Sequence, residues 1–427
     1  CQDRGTGFDR SPEVLRADRT LMIPAPDFPQ VLVLRDLAQV RETLRHARVS
    51  RGGIDIMEKK ALFRVVRVTN LNVRAAGILK QEMLSRGGEV AVSREVYESG
   101  GEKADCLLMG TLTQFDRLLS KLKAQPFGLR ALADSLEAAL KNHDENLPTC
   151  PVGISLAEGP LLMGILNITP DSFSDGGTYA GMEQAVRTAL EMAEEGAAFI
   201  DVGGESTRPG SDPVSLEDEA ARVVPVVKAL APSLPGRISI DTYKAWVAAE
   251  ALAAGAYMIN DISALRMDPE MVAVVRDADC PVVLMHMLGE PKTMQAKPVY
   301  ENVVKEVYGF FVDRLNWAVD NGLKEENLLI DPGLGFGKTT AHNLEIMRDL
   351  AAFRSLGRPI VLGASRKRFL GEILGIDEPR ERDAATAATT VMAVAAGAHI
   401  VRVHRVGLNR DAARLARAVF GSGPDAL

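Results

Sequence analysis

The 427-residue chain has only four cysteines, Cys1, Cys106, Cys150 and Cys280, and no two of them form a CxxC pair. This scarcity argues against a disulfide framework or a zinc site and fits a reducing compartment. No apolar run reaches the roughly 18 residues that a membrane-spanning helix needs. The polar segment 1–18 lacks the apolar centre of a signal peptide. We therefore expect a cytoplasmic protein.

An excess of positive charge is also missing, because the net charge is −7. This balance argues against nonspecific binding to nucleic acid. The hydrophobic share of 46% and the charged share of 25% are those of ordinary globular proteins. A chain of this length usually holds more than one core, so two domains are expected.

A domain boundary is predicted where the polar segment 141–151 carries Pro148 and Pro151. Residues 1–145 are predicted to form a small α/β domain of unknown role, and residues 155–427 a second, larger domain. In the first domain we expect strands at 31–34, 65–68 and 106–109, and helices at 37–46, 73–86, 115–123 and 129–140. Asn70 and Asn72 follow a strand and are interpreted as caps of the next helix.

From residue 161 onward, short apolar runs alternate with helical patterns, such as those at 182–195 and 216–230. Strands that alternate with helices pair in parallel through right-handed crossovers. Eight units of this kind predict a (β/α)8 TIM barrel, with an open doubly wound sheet as the alternative. The predicted strands are 161–169, 198–203, 237–241, 257–261, 281–286, 328–331, 359–363 and 399–404.

Polar side chains cluster at the carboxyl ends of these predicted strands. A barrel gathers those ends around one mouth, where its active site forms. Each residue taken alone is explained as well by a helix cap or a turn, but their recurrence favours a site. The residues are Asn167, Asp201, Asp241, Asn260, His286, Asp331, Ser365, Arg402 and His404.

Two long loops follow the first two strands, GILNITPDSFSDGG from Gly164 and DVGGESTRPGS from Asp201. Both are rich in Gly and Ser and long enough to fold over a substrate. Together with six later motifs they resemble dihydropteroate synthases, a family of pterin-binding barrel enzymes, over residues 160–420. Those motifs are SIDT from Ser239, INDI from Ile259, LMHM from Leu284 with PKTMQ from Pro291, DPGLGFGK from Asp331, GASRKRFLG from Gly363 and VRVH from Val401.

The resemblance implies an enzyme that joins a pterin diphosphate to p-aminobenzoate. A pterin ring has an edge of hydrogen-bond donors, and a buried carboxylate such as Asp331 can accept two of them, with Asn260 completing the edge. Met285 and Phe336 would pack on the ring, although plain barrel core explains them equally well. Lys367 either touches the ring or forms a salt bridge. The positions that match the family's pterin contacts are Asp241, Asn260, Ile262, Met285, Asp331, Gly335, Phe336 and Lys367.

The diphosphate requires cations, and two guanidinium groups suit phosphate because each can bind it through two hydrogen bonds. The resemblance assigns Arg208, Arg402 and His404 to the diphosphate, and Asn167 to the diphosphate and its Mg²⁺. It places p-aminobenzoate at Thr207, Pro209, Ser365 and Arg366. Asp241, Arg208 and Lys367 are the expected catalytic residues, and a homodimer is the expected assembly.

The sequence departs from the family at Arg405, where many members carry Asp, and an outward-facing Arg405 should not disturb the diphosphate site. The N-terminal extension lacks the motifs of the pyrophosphokinase that is fused to this synthase in some organisms. Two other functions stay open. A methyltetrahydrofolate–corrinoid methyltransferase would share the ring-binding residues but has no diphosphate for Arg208. A non-catalytic pterin-binding or regulatory protein would not need complete loops.

Overall fold

The computed structural model describes residues 29–94, 102–148, 151, 154–156, 159–168, 177–206 and 213–421. These residues form a three-stranded sheet and an eight-stranded sheet, and separate hydrophobic cores pack against each. Among the helices of these ranges, none is both long and apolar enough to cross a membrane.

The N-terminal unit places helices on one face of an antiparallel sheet whose strand order is β1-β3-β2. Three of its helices begin at an N-cap residue whose side chain accepts a hydrogen bond from a backbone N–H of the first turn. These residues are Asp36 for α1, Ser50 for α2 and Thr111 for α4. The elements are α1 (Leu37–His46), α2 (Arg51–Met57), β1 (Phe63–Asn72), α3 (Val73–Leu84), β2 (Glu89–Val92), β3 (Lys103–Thr111), α4 (Leu112–Leu122) and α5 (Leu129–Glu145).

The strand predicted at 31–34 is wrong. Val31 and Val33 are 91% and 80% exposed, and this segment has no regular secondary structure. An apolar run becomes a strand only when a neighbouring strand satisfies its backbone groups. The three-stranded sheet ends at β1, and residues 31–34 do not pair with it. The strand β2 and the helix α2 were not predicted.

Asn72 caps α3 as expected, because its side chain accepts a hydrogen bond from the backbone N–H of Arg74 at 2.9 Å. Asn70 does not. It lies inside β1 with φ of 62°, where the pairing of β1 with β3 shifts register between Val68 and Leu71. Asparagine tolerates this left-handed backbone better than most residues, which explains its presence at the irregularity.

The second unit is a parallel eight-stranded barrel, and the predicted TIM barrel is confirmed. The strand order is β10-β11-β4-β5-β6-β7-β8-β9, and a parallel bridge between Ile330 and Ile360 brings β9 beside the segment that enters β10. The ring of strands is therefore closed, which excludes the open doubly wound sheet.

The barrel elements alternate between strands and helices, except that two helices, α12 and α13, lie between β10 and β11. They are β4 (Leu161–Asn167), α6 (Gly177–Glu194), β5 (Phe199–Gly203), α7 (Leu216–Leu230), β6 (Ile238–Asp241), α8 (Ala245–Ala253), β7 (Met258–Asp261), α9 (Met271–Ala278), β8 (Val282–Met285), α10 (Val303–Asp320), β9 (Leu328–Asp331), α11 (Thr340–Arg348), β10 (Val361–Leu362), α12 (Arg368–Leu374), α13 (Asp383–Ala396), β11 (Ile400–Val403) and α14 (Val406–Phe420).

A plug of apolar side chains fills the barrel near the amino ends of its strands. The members all come from the barrel wall and its entry segment: Ile154, Met163, Phe199, Met258, Val283, Leu329, Val361 and Ile400. Successive side chains of a strand point to opposite faces, so the next inward position lies two residues further along each strand. This spacing places the polar residues of the strand ends directly above the plug.

The N-terminal unit contacts the barrel at the end opposite to those polar residues. Helix α5 packs against the 3-10 helix Leu350–Leu356, which precedes β10. Two amides of this region donate to barrel carbonyls: Asn142 to Ser355 O and Asn146 to Gly397 O, both at 3.4 Å. At the side of the barrel, Lys305 pairs with Asp105 at 2.6 Å. The hydrogen bonds and the ion pair between the two units are thus polar contacts that lie outside both apolar cores.

A shortened chain that begins at Pro151 should therefore fold. The apolar cores of the two units are separate, so the barrel loses polar contacts whose individual net worth is about 1 kcal/mol. We expect one cooperative thermal transition and intact secondary structure by circular dichroism, with the full chain as the control. A shortened chain that aggregates or melts without cooperativity would show that the barrel depends on the N-terminal unit. The predicted domain limits, 1–145 and 155–427, stay predictions until then.

Candidate active site

The site begins with a layer of polar side chains that points into the mouth of the barrel. Each member lies two residues beyond a member of the apolar plug: Asp201 beyond Phe199, Asn260 beyond Met258, Asp331 beyond Leu329 and Arg402 beyond Ile400. All four come from strands, so their backbone positions are fixed by the ladder of the sheet. The structure therefore brings together residues that are up to 201 positions apart in sequence.

The centre of this layer is an ion-pair cluster. Arg402 donates from Nε to Oδ2 of Asp201 and from Nη2 to Oδ2 of Asp241, both at 2.6 Å. Asn260 donates from Nδ2 to the same Oδ2 of Asp201 at 2.9 Å. Burial alone would lower the pKa of Arg402, but the two carboxylates outweigh it and raise that pKa, so the guanidinium stays charged.

Asp241 has an unusually high pKa for a carboxyl group. Removal from water raises its pKa to about 7, an effect that Arg402 opposes and that Asp201, Glu219 and Asp261 reinforce. The group therefore changes protonation near neutral pH. Perturbed groups of this kind concentrate at functional sites, although structural networks also produce them.

Asp331 and Lys367 are two further buried charged groups of the mouth, and each influences the pKa of the other. Burial raises the pKa of Asp331, and Lys367 is the largest influence that opposes the rise. Burial in turn lowers the pKa of Lys367 to about 8. Asp331 Oδ1 accepts from the backbone N–H of Gly333 at 2.8 Å. Lys367 donates to Leu334 O and places Nζ 4.8 Å from the ring centre of Phe336. Lys367 forms no salt bridge with a described residue, so its contact with the pterin ring stays a prediction.

The apolar wall of the mouth is a small cluster that is separate from the main barrel core. Ile262, Met285 and Phe336, three of the predicted ring contacts, belong to it. Met287, Met294 and Tyr243 complete it. Gly335 lies next to Phe336 with φ of 80°, and a Cβ there would come within 3.2 Å of Lys367 Cδ. The positive φ favours glycine at this position, and a side chain there would also require Lys367 to shift slightly.

The predicted aminobenzoate residues are only partly brought together. Ser365 Oγ lies 2.9 Å from Nδ1 of His404 and accepts from the backbone N–H of His404. The guanidinium of Arg366 instead pairs with both oxygens of Asp383 on α13, at 2.7 and 2.9 Å. The side chain of Arg366 is therefore held by a helix behind the strand ends. Thr207, Arg208 and Pro209 lie outside the described residues.

Asn167 ends β4 with an exposed side chain beside Asp241. At the end of β5, a Cβ on Gly203 would lie 3.6 Å from Asp241 Oδ2 and 3.7 Å from Asn167 Oδ1, which are ordinary contact distances. Two oxygen ligands therefore lie near Gly203. Oxygen donors of this type suit a hard cation such as Mg²⁺.

Two buried lysines were missed by sequence reasoning. Lys338 donates to Gly333 O at 2.9 Å and Phe336 O at 3.1 Å and lies 2.8 Å from Nδ1 of His286, so it organises the loop that presents Phe336. Burial lowers its pKa and lowers that of His286 to about 2, which keeps the imidazole neutral.

The second is Lys244, which contacts Glu205 and Glu219 at 2.5 Å beside the second loop. The sequence signal that could have revealed both lysines is a single charged residue beside an apolar run, as at Lys244, or a glycine-rich run, as at Lys338.

Fold and site together define a (β/α)8 barrel protein whose mouth offers a buried carboxylate, an apolar wall and an arginine. Such a mouth suits a flat ring with hydrogen-bond donors and an attached anion. The model of the family described as pterin binding enzyme matches residues 163–404.

Two similar proteins are dihydropteroate synthases. A dihydropteroate synthase of Escherichia coli is 44% identical over 263 residues, which are 62% of this chain and 93% of that protein. A structure of the Xanthomonas albilineans dihydropteroate synthase in complex with 7,8-dihydropteroate is similar with a TM-score of 0.57 and 43% identity, over 63% of this chain and 96% of that one.

A Halobacterium salinarum protein named as a probable bifunctional folylpolyglutamate synthase/dihydropteroate synthase is 41% identical over 91% of this chain. The chain spans about half of that relative, 47% of its length. The chain belongs to the dihydropteroate synthase family of pterin-binding enzymes. The N-terminal unit is therefore largely included in the match to the longer relative, whereas the match to the Escherichia coli enzyme covers only 62% of the chain.

The raised pKa of Asp241 predicts a pH-dependent stability difference. Because the folded pKa lies above the unfolded value of 3.8, the contribution of Asp241 to stability is complete below about pH 4 and is lost as the pH rises through about 7. The stability of Asp241→Asn relative to the natural protein should therefore rise between those limits, by roughly 2–4 kcal/mol. Urea unfolding at several pH values measures it, with the exposed Asp320→Asn as control. A difference that does not vary with pH would contradict the assigned charge state.

Proposed function

We propose that this protein is a dihydropteroate synthase. It would condense 6-hydroxymethyl-7,8-dihydropterin diphosphate with p-aminobenzoate to give 7,8-dihydropteroate and diphosphate. The observation that carries the proposal is the shared mouth, where Asp331 and Asn260 lie beside Arg402 and His404 on strand ends of one closed barrel. The identity of 44% to a dihydropteroate synthase along 93% of its length supports it.

Asp331 would bind the donor edge of the pterin. Its Oδ1 already accepts from Gly333, and each carboxylate oxygen can accept two hydrogen bonds, so acceptor sites remain on both oxygens. Asn260 would complete the edge, and Met285 and Phe336 would cover the faces of the ring. Lys367, which is held against Phe336, would contact the ring from the side.

The reaction would be an SN1-like substitution. The bond between the pterin methylene carbon and the diphosphate oxygen breaks, and the electron pair leaves with the diphosphate. Arg402 and His404, with Arg208 from the second loop, would stabilise that developing negative charge. Asp241 in its charged form would stabilise the electron-poor methylene. The amine of p-aminobenzoate then forms the C–N bond and loses a proton to solvent.

A Mg²⁺ ion would be held by Asn167 at the mouth, where this side chain at the end of β4 is exposed. Bound there, the ion would neutralise part of the charge of the diphosphate. One protein ligand is sufficient, because Mg²⁺ usually keeps several waters and takes other ligands from substrate phosphates.

The p-aminobenzoate would occupy the side of the mouth formed by Ser365, with Thr207 and Pro209 from the second loop. Because the guanidinium of Arg366 pairs with Asp383, Arg366 would contribute to this side of the mouth through its backbone. The corrinoid methyltransferase alternative is disfavoured, because similarity to dihydropteroate synthases extends along nearly the whole of those enzymes. The same similarity disfavours a non-catalytic role.

We also propose a cytoplasmic homodimer. Helices α13 and α14 pack on each other and expose Met392, Leu415 and Val419 at 57%, 64% and 63%. Exposed apolar side chains on a pair of packed helices suit a protein interface. The reducing compartment fits Cys106 and Cys280, which are buried free thiols.

Incubation with both substrates and Mg²⁺ tests the function directly. We expect formation of 7,8-dihydropteroate, detected by chromatography, and loss of most activity when a chelator removes divalent ions. The control is the same mixture without p-aminobenzoate. Folded protein that binds the pterin diphosphate but forms no dihydropteroate would contradict the proposal, and activity unaffected by chelation would remove Mg²⁺ from it.

Asp331→Ala should abolish pterin binding. The ring donors would lose their acceptor inside a desolvated pocket, at a cost on the order of 2–4 kcal/mol. Calorimetric titration with 6-hydroxymethylpterin measures the loss. The matched control is Asp279→Ala, an exposed carboxylate at the opposite end of the barrel that pairs with Lys324. Equal affinity in the natural protein and in Asp331→Ala would refute the assignment of the ring site.

A further inference from the structure

Asp201 is the most deeply buried carboxylate of the mouth, and the proposed reaction gives it no task. Its side chain is 0% exposed, whereas that of Asp241 is 10% exposed. It lies on β5 directly above the apolar plug, beneath the level at which a ligand would enter. A group in this position acts through its neighbours and not by contact with substrate.

Both neighbours of Asp201 belong to the proposed site, but to different halves of it. Oδ2 accepts from Nε of Arg402, a residue of the diphosphate half, at 2.6 Å. The same oxygen accepts from Nδ2 of Asn260, a residue of the pterin half, at 2.9 Å. One carboxylate oxygen therefore fixes side chains from β11 and β7 at once.

The two hydrogen bonds determine which atoms face a ligand. With Nε on Asp201 and Nη2 on Asp241, the plane of the Arg402 guanidinium is set, and within the described part of the chain Nη1 has no hydrogen-bond partner. With Nδ2 of Asn260 on Asp201, the amide is oriented so that Oδ1 is the atom left to accept from a ligand. A phosphate oxygen requires a donor and a ring N–H requires an acceptor, so each orientation matches its half of the site.

We propose that Asp201 is a positioning residue that orients Arg402 toward the diphosphate and Asn260 toward the pterin edge. It does so through one of its two carboxylate oxygens, Oδ2. This inference rests on the proposed function, because the two ligands are those of the synthase reaction. It adds a link between the two halves of the site that no ligand contact by itself would reveal.

The test is the pair of variants Asp201→Ala and Asp201→Asn. Loss of the acceptor in Asp201→Ala should weaken binding of 6-hydroxymethylpterin and of pyrophosphate with Mg²⁺, each by at least about tenfold by calorimetry. The amide of Asp201→Asn keeps one oxygen acceptor and should recover a large part of both affinities. The KM for p-aminobenzoate should stay within about twofold in each variant, because Asp201 contacts neither Ser365 nor His404.

Ser239→Ala is the matched control. Ser239 is a fully buried residue paired with Asp201 in the neighbouring strand, and its Oγ has no partner among the described residues. It should leave both affinities within about twofold. If Asp201→Ala does not fold, Asp201→Glu replaces it: the charge is kept but the oxygens are displaced, and both ligands should again bind more weakly.

Three results would overturn the inference: unchanged affinity for both ligands in the folded variant, a loss confined to one ligand, or an Asp201→Asn variant no better than Asp201→Ala. Failure of the proposed function is measured separately, in the natural protein, as the absence of 7,8-dihydropteroate after incubation with both substrates and Mg²⁺.

Discussion

The interaction on which the mouth of the barrel depends is the buried ion-pair cluster of Arg402 with Asp201 and Asp241. A guanidinium above an apolar plug is tolerated only if opposite charges replace its water, and these two carboxylates do so from neighbouring strands. Removal of one partner from such a cluster leaves an uncompensated buried charge, which is strongly destabilising. The residues of the mouth are therefore interdependent: burial raises the pKa of Asp241 to about 7, and Arg402 opposes that rise.

The barrel geometry explains how this cluster is assembled. Inward-facing positions recur every two residues along each strand, so one layer of inward side chains is apolar and the next layer is polar. The plug around Phe199 and Met258 supplies rigidity, and the layer above supplies charges and amides whose backbone cannot shift. Such support by strands favours a preorganised site, in which donors and acceptors already face the place where charge develops.

Local patterns allowed much of this to be predicted. The eight strands follow from apolar runs that end at polar residues, and all eight are present with ends within about two residues of the prediction. The polar strand ends were predicted for the same reason. The strand at 31–34 failed because pairing depends on a neighbour that local sequence does not reveal.

Partners of long side chains could not be predicted. Arg366 pairs with Asp383 on α13, and Arg402 on β11 pairs with Asp201 on β5, because the tertiary fold brings together elements that are distant in sequence. The motif assignment gave these arginines a ligand role and no internal partner. The buried Lys244 and Lys338 were missed for the same reason, since a lysine in sequence is usually a solvated residue.

The central claim is that one polar layer binds the pterin at one half and the diphosphate at the other. A crystal structure of the protein with 6-hydroxymethylpterin, pyrophosphate and Mg²⁺ tests it most directly. The account predicts the donor edge of the ring on Asp331, Oδ1 of Asn260 facing the ring, and the pyrophosphate within hydrogen-bond distance of Arg402 and His404. A ring bound away from Asp331, or a pyrophosphate that leaves Arg402 untouched, would contradict it.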